Sequence, residues 1–335
     1  MKIIIPMAGR GTRLRPHTLT LPKPLIPIAG KPMVQRLVED LTAGYSGKVE
    51  EIAFITGDFG KDVEQELVNI ANTFGAEGRI YHQLNPKGIA HAIGCASESL
   101  NGNVFIAFSD TLFRADFHFD TNEEGLIWVK KVEDPSAFGV VKTDASQIIT
   151  DFVEKSPVFV SDQAIVGLYY VREGDFLREQ IKYLIDNDIR EKGEYQLTSV
   201  LENMKRAGYK FRAAGIDEWL DCGNKLNTVE TNRRMLEIKH PLEQLVSPQA
   251  VIQNTVIIEP CFIGAGAKIT NSVIVPHVSV GNNSVIANCI IKNSVIQGDT
   301  SVSDALFTDS MLGNHVVYEG HVSDVSIGDY TSFKE

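Results

Sequence analysis

Residues 8–32 read AGRGTRLRPHTLTLPKPLIPIAGKP, a connection with five Lys or Arg residues and five prolines in a 335-residue chain of formal net charge −11. A loop of this length without secondary structure of its own is uncommon unless it is functional. Its residue types suit a phosphate. Gly9 and Gly11 permit positive φ and close backbone approach, so that amide N–H groups can converge on an anion. Arg13 adds a planar fork of donors and Lys23 a point charge. Pro16, Pro22, Pro24, Pro27 and Pro32 stiffen the connection and reduce the ordering that binding would demand. Neither common phosphate loop is present: GRGTRL has Leu where a GxGxxG needs its third Gly, and AGKP lacks the upstream Gly and the Ser/Thr of a P-loop.

The elements that would position this loop have two grammars. Residues 1–240 alternate buried-looking strands (KIIIPM, EEIAFITG, NVFIAFSD) with amphipathic helices (PMVQRLVEDLTAGY, KDVEQELVNIANTF, IAHAIGCASESL). That alternation predicts a doubly wound, Rossmann-like α/β sheet, mixed where shorter strands (EGLIWVKKVE, FGVVKTD, QIITDFVEK, QAIVGLYYV) follow from about residue 124. Ligands of such sheets sit beyond the carboxyl ends of the strands, where both the opening loop and SDTLF fall. Residues 245–335 repeat short words instead: NSVIV, NSVIA and NSVIQ, and the pairs Ile263-Gly264, Val280-Gly281, Leu312-Gly313 and Ile327-Gly328. An aliphatic residue near every sixth position predicts a hexapeptide-repeat parallel β-helix with turns of about sixteen residues.

Bulk composition excludes several classes. With 43% hydrophobic and 22% charged residues the chain is globular, and its acidic balance argues against a general nucleic-acid binder. Cys95, Cys222, Cys261 and Cys289 show no metal or disulfide spacing, and no signal peptide or membrane span is legible, so a cytoplasmic protein without membrane partners is expected.

The stretch GRGTRLRPHTLTLPKPLIPIAGKP closely resembles the signature of sugar-1-phosphate nucleotidyltransferases. NPKGIAHA, FIAFSDTLF, FGVV, FVEKSP, GEYQLTSV and WLDCGN resemble later segments of the same family, glucose-1-phosphate thymidylyl- and uridylyltransferases in particular, and the hexapeptide tail also recurs there; its left-handed coil is part of the resemblance. The resemblance implies that a sugar 1-phosphate, glucose 1-phosphate by default, attacks an NTP to give an NDP-sugar and pyrophosphate. It assigns Arg13 and Lys23 to the triphosphate, with Ala8, Gly9, Gly11 and Thr12 around the nucleotide, and Lys155 to the sugar phosphate. Asp110 and Asp221, 111 residues apart, would share Mg²⁺. Gly139, Glu154 and Glu194 would meet the sugar, and Gln83 and Gly88 the base. A Gln amide offers both a donor and an acceptor to a thymine or uracil edge, which favours dTTP or UTP over GTP. SDT stands where many relatives have Gly-Asp-Asn or Gly-Asp-His, and PMAG replaces the commoner LAAG.

Each position also has a plainer role. Asp110 could cap a helix, Asp221 start a turn, and Glu154 with Lys155 form a solvated pair. Two other functions compete. A degenerate scaffold or regulatory subunit would typically lose the loop Arg or a metal Asp, yet Arg13, Lys23, Asp110, Lys155 and Asp221 are all present. A bifunctional enzyme would add acetyl transfer in the β-helix, for which His277, His315 and His321 are available. The tail spans only about ninety residues and lacks a recognisable acyl-transfer segment, so it is read as an oligomerisation or regulatory module of a homo-oligomer.

Overall fold

The computed structural model describes residues 1–9, 11–114 and 122–321. The chain divides into two compact units, Met1–Ile26 with Lys31–Asn227, and Pro27–Gly30 with the residues from Thr228 onward.

In the first unit β1 (Lys2–Pro6), β2 (Glu51–Thr56), β3 (Glu77–His82) and β4 (Val104–Ala107) are joined through α1 (Met33–Ala43), α2 (Lys61–Thr73) and α3 (Ile89–Cys95). Ile3, Ile4, Ile5 and all of β2 are buried, as expected for strands covered on both faces. Helix α1 buries Met33, Val34, Leu37, Val38 and Leu41, the stripe that 3.6-residue periodicity produces. The strands pair in parallel in the order β3-β2-β1-β4. Strand order therefore reverses between β1 and β4, and a crevice opens there beyond their carboxyl ends.

The chain continues through β5 (Thr111–Arg114), β6 (Gly125–Lys131), β7 (Gly139–Thr143), β8 (Ile149–Glu154) and β9 (Gln163–Val171). Helices α4 (Gly174–Asp186) and α5 (Leu197–Arg206), strands β10 (Phe211–Gly215) and β11 (Glu218–Asp221), and α6 (Lys225–Lys239) follow. Strand β9 runs antiparallel to β4, β6 and β7, and completes a nine-stranded mixed sheet. Strands β5 and β11 form a separate antiparallel ribbon. The expected helix over IAHAIGCASESL is shorter than its pattern: it stops at Cys95, and a 3₁₀ turn covers Ser97–Ser99.

The C-terminal unit is a parallel β-helix of the left-handed hexapeptide kind, with three sheets of five, four and four short strands. Along the first sheet, Val251 faces Lys268, Val285, Ser301 and Val317 on successive coils. Those coils are 17, 17, 16 and 16 residues long, because the buried aliphatics Ile263, Ile269, Ile274, Val280, Ile286, Ile291, Ile296 and Val302 recur five or six positions apart. The three NSV words do not mark equivalent points on successive coils. They mark the three different corners: Asn271, Asn283 and Asn293 each adopt positive φ, and the Ser that follows is buried. Asn tolerates the left-handed turn through local hydrogen bonding. Stacked corner residues form amide ladders, Asn254 to Asn271 to Asn288 to Asp304. Ser272, Ser284 and Ser294 accept the backbone N–H of Cys289, Thr300 and Ser310 on the next coil. The pair Ile327-Gly328 lies outside the described residues. Among those residues no helix is long and apolar enough to cross a membrane.

Candidate active site

The crevice beyond β1 and β4 holds a cavity of about 450 Å³. Ten of the residues singled out in the sequence line it: Ala8, Gly9, Gly11, Thr12, Arg13, Lys23, Gln83, Gly88, Asp110 and Glu194. The opening loop is built from two 3₁₀ turns, Thr12–Leu14 and Lys23–Leu25. Gly11 starts the first with φ 57°, and its carbonyl accepts both the Leu14 N–H (3.0 Å) and the Thr18 hydroxyl (2.8 Å). Leu14 is buried and anchors the turn, while Arg13 stays exposed at the cavity and makes no ion pair among the described residues. A Cβ on Gly11 would lie 2.9 Å from Lys23 Cβ, so this glycine lets the two turns pack together.

Lys23 is 8% exposed and its Nζ sits 2.5 Å from Asp110 Oδ2. The cap role for Asp110 is therefore displaced by a charge pair at the carboxyl end of β4. Asp221 is brought alongside by the β5–β11 ribbon, in which it faces Thr111, and the Cys222 N–H donates to the Asp110 carbonyl at 3.2 Å. Asn227 Nδ2 donates to Asp221 Oδ2 at 2.7 Å. Two carboxylates on paired strand ends, beside a phosphate-suited loop, fit a Mg²⁺ that takes its other ligands from water and substrate. Among the described residues no set of three or more His, Cys, Asp or Glu side chains gathers into a protein-only metal cage.

Gln83 is held more tightly than its sequence position indicates. Its Nε2 donates to the Gly88 carbonyl at 3.1 Å and lies 2.9 Å from His91 Nδ1. Because a carbonyl only accepts, Nε2 is the donor, and His91 Nδ1 must accept. Both amide protons are thus spent inside the protein. Oε1 is left as the group Gln83 can offer a base, in place of the donor–acceptor pair expected from the residue type. His91 is the residue the sequence did not flag here, since Gln83 and His91 meet only when β3 and α3 are side by side.

Burial first, and the charge of Lys87 second, hold the His91 pKa below its ordinary 6.5. The unfolded chain takes up this proton near pH 6.5 and the folded chain only at lower pH. Between the two, the unfolded state binds more protons, so stability falls as pH falls through that window. An imidazolium N–H would also face the Gln83 amide N–H. We expect dTTP affinity to weaken as pH falls below 6.5, where His91 takes up its proton. His91→Asn, whose Oδ1 can accept as Nδ1 does, should show a flatter profile in a titration of dTTP binding; identical profiles would exclude this role.

Gly139, Glu154, Lys155 and Asp221 lie outside the lining of the cavity. Gly139 faces Glu154 across the β7–β8 pair. The Glu154 side chain is 9% exposed, accepts the Thr198 hydroxyl at 3.1 Å and lies 3.4 Å from Lys155 Nζ, so it is no solvated surface pair. Lys155 has φ 43°, and Lys192 Nζ donates to the carbonyls of Glu154 (3.2 Å) and Lys155 (2.5 Å). Lys192, one residue before the GEYQLTSV word, was not flagged in the sequence, because its contact depends on β8 lying beside the 190s loop. Gly88, with φ 112°, is stitched to the same region: the Tyr195 N–H donates to the Lys87 carbonyl, and the Ala90 N–H to the Tyr195 carbonyl, both at 2.9 Å.

Residues 2–237 match the model of the nucleotidyl transferase family. The chain belongs to the sugar-1-phosphate nucleotidyltransferases. This nucleotidyltransferase carries a second match, to GlmU-like C-terminal hexapeptides, at residues 242–302. It is 30% identical to a low-salt glycan biosynthesis nucleotidyltransferase of Haloferax volcanii, over 71% of this chain and 67% of that one. It is 26% identical to a glucose-1-phosphate thymidylyltransferase of Streptomyces griseus over 99% and 98% of the two chains. A solved structure from Bacillus anthracis, described as a candidate glucose-1-phosphate thymidylyltransferase in complex with a sucrose, shares the fold with TM-score 0.59, at 23% identity over 69% of this chain and 94% of that one. The general activity of this nucleotidyltransferase is nucleotidyl transfer to a sugar 1-phosphate.

Proposed function

We propose that this nucleotidyltransferase joins dTTP or UTP to glucose 1-phosphate, giving the NDP-glucose and pyrophosphate. The observation that carries this reading is the Lys23–Asp110 pair at the switch-point cavity, beside exposed Arg13 and the Gly9–Gly11 backbone. A phosphate oxygen of the sugar phosphate attacks the α-phosphorus, and the bond from that phosphorus to the α–β bridging oxygen breaks. Two polyanions must meet, so positioning and charge neutralisation do most of the catalysis. Arg13 and Lys23 hold the triphosphate, and the backbone of Ala8, Gly9, Gly11 and Thr12 surrounds its phosphates. Lys155 holds the sugar phosphate, while Gly139, Glu154 and Glu194 shape the sugar pocket. Asp110 and Asp221 would hold Mg²⁺, which when bound neutralises phosphate charge.

The Gln83 carbonyl oxygen complements the N3–H of thymine or uracil, and Gly88 leaves room for the base edge. The thymidylyltransferases of Streptomyces griseus and Streptomyces antibioticus among the relatives support the same base and a glucose 1-phosphate acceptor. Assembly into a homo-oligomer, through the β-helix or the catalytic unit, and a cytoplasmic location belong to the same proposal. Light scattering on the purified chain checks the first.

The test is pyrophosphate release across a matrix of dTTP, UTP, GTP, ATP and CTP against common sugar 1-phosphates, with and without Mg²⁺. Highest turnover with dTTP or UTP and glucose 1-phosphate is expected. A folded protein silent across the matrix would favour a scaffold, and preference for GTP with mannose 1-phosphate would overturn the base assignment. Acetyl-CoA consumption with an amino-sugar phosphate would overturn the reading of the β-helix as a non-catalytic module.

A further inference from the structure

The loop that carries Lys23 does not remain in the first unit. It leaves that unit at Ile26, contributes Pro27–Gly30 to the C-terminal unit and returns at Lys31. Within those four residues the backbone is left-handed twice, at Ala29 (φ 47°) and Gly30 (φ 86°). A non-glycine residue in that region persists only where its surroundings over-determine it. Here the Ala29 N–H donates to Asn232 Oδ1 at 2.9 Å, and the same oxygen accepts the Ser279 hydroxyl at 2.8 Å. Asn232 lies on α6 and is fully buried, and Ser279 begins a β-helix strand. The Phe262 ring fills the space over Gly30, with Cε2 only 2.1 Å from where a Cβ would stand. A buried amide and an aromatic ring of the C-terminal unit are thus among the groups that hold Pro27–Gly30.

Five residues, 24–28, separate Lys23 from the grip at Ala29, and those residues are stiff. Pro24 and Pro27 each fix φ. The Lys23–Leu25 turn is closed by the Ile26 N–H donating to the Lys23 carbonyl at 3.1 Å, and Ile26 and Ile28 are fully buried. Few torsions remain free to absorb a displacement of Ala29 before it reaches the Lys23 backbone. The geometry points to Asn232 as a positioning residue for Lys23, and so to the hexapeptide unit as a determinant of triphosphate affinity. This rests on the reading of Lys23 as a triphosphate ligand. A misplacement of about 1 Å in a catalytic group can cost about 100-fold, so a loosened loop is readable in binding.

The experiment compares full-length Asn232→Ala, Asn232→Asp, Ser279→Ala and Lys23→Ala with wild type. It measures dTTP affinity by calorimetry with Mg²⁺ present, and the KM of both substrates. Asn232→Ala is expected to raise the dTTP Kd and KM about tenfold or more while the sugar-phosphate KM stays within about twofold. Asn232→Asp keeps an acceptor for the Ala29 N–H and should recover most of the loss. Ser279→Ala keeps the Ala29–Asn232 bond and should bind dTTP as wild type does. An unchanged dTTP Kd in folded Asn232→Ala overturns the positioning role, and so does an equal loss in Ser279→Ala, which would mark a general effect on the C-terminal unit. Should Asn232→Ala fail to fold, Phe262→Leu, which thins the cover over Gly30, carries the same expectation and the same overturning result. Lys23→Ala separates the two levels: no loss there overturns the triphosphate role of Lys23 itself, whereas a loss there with none in Asn232→Ala overturns only the positioning.

Discussion

Asp110→Ala should lower kcat/KM for pyrophosphate release by about 1,000-fold or more, because one carboxylate serves two charges. In the proposed mechanism it would hold Mg²⁺ with Asp221, and it pairs with Lys23 at 2.5 Å. Polarisation of phosphate oxygens by a metal is worth several kcal/mol in the transition state, and each ~1.4 kcal/mol is tenfold in rate. Losing the carboxylate also leaves the Lys23 ammonium, 8% exposed, without the Asp110 charge and free to move from the triphosphate. Asp110→Asn should fall nearly as far, since it keeps the shape and loses the charge. Steady-state pyrophosphate release over a range of Mg²⁺ concentrations, with circular dichroism to confirm folding, decides the matter. Activity within about tenfold of wild type would remove Asp110 from the metal site.

Gly88→Ala is expected to lower stability by about 3 kcal/mol or more. Its φ of 112° and ψ of 172° lie in a region essentially reserved for glycine. A Cβ there would stand 2.6 Å from both the N and the O of Tyr195. Those are backbone atoms, already committed to Ala90 and Lys87, and cannot swing aside as a side-chain tip would. The melting temperature should drop by about 6–12 °C, at the 2–4 °C per kcal/mol usual for a unit of this size. Urea unfolding with an unchanged midpoint would mean that the Tyr195 peptide yields at no cost. The prediction also revises the reason for glycine at this position. The close approach it permits is first to the chain's own segment at 194–195, which ties the Gly88 turn to Glu194 and Tyr195.

Periodicity made the two architectures legible. Ile3–Ile5 and Glu51–Thr56 read as strands because a parallel sheet buries both faces, and the aliphatic residues of the tail read as β-helix rungs because each coil repeats the same demand on its interior. The phosphate chemistry of the loop was legible too, since Gly9, Gly11, Arg13 and Lys23 have that capacity in any context that clusters them. The meaning of the NSV words was not. Spacing alone cannot tell the corner of one coil from the same corner of the next, and the hydrogen-bond ladders assign Asn271, Asn283 and Asn293 to three different corners.

By itself the sequence determined the class of fold, the two-part organisation and the residue types that suit a nucleotide and a sugar phosphate, because these follow from local pattern and motif. Tertiary structure alone decided how those residues are used. It put Lys23 on Asp110 across 87 positions of chain and spent both Gln83 amide protons on Gly88 and His91. It also gave Ala29 to Asn232 across 203 positions. Hydrogen bonds and ion pairs act over about 3 Å, whereas the separations they close here leave no periodic trace in the chain, so only the folded arrangement could reveal them.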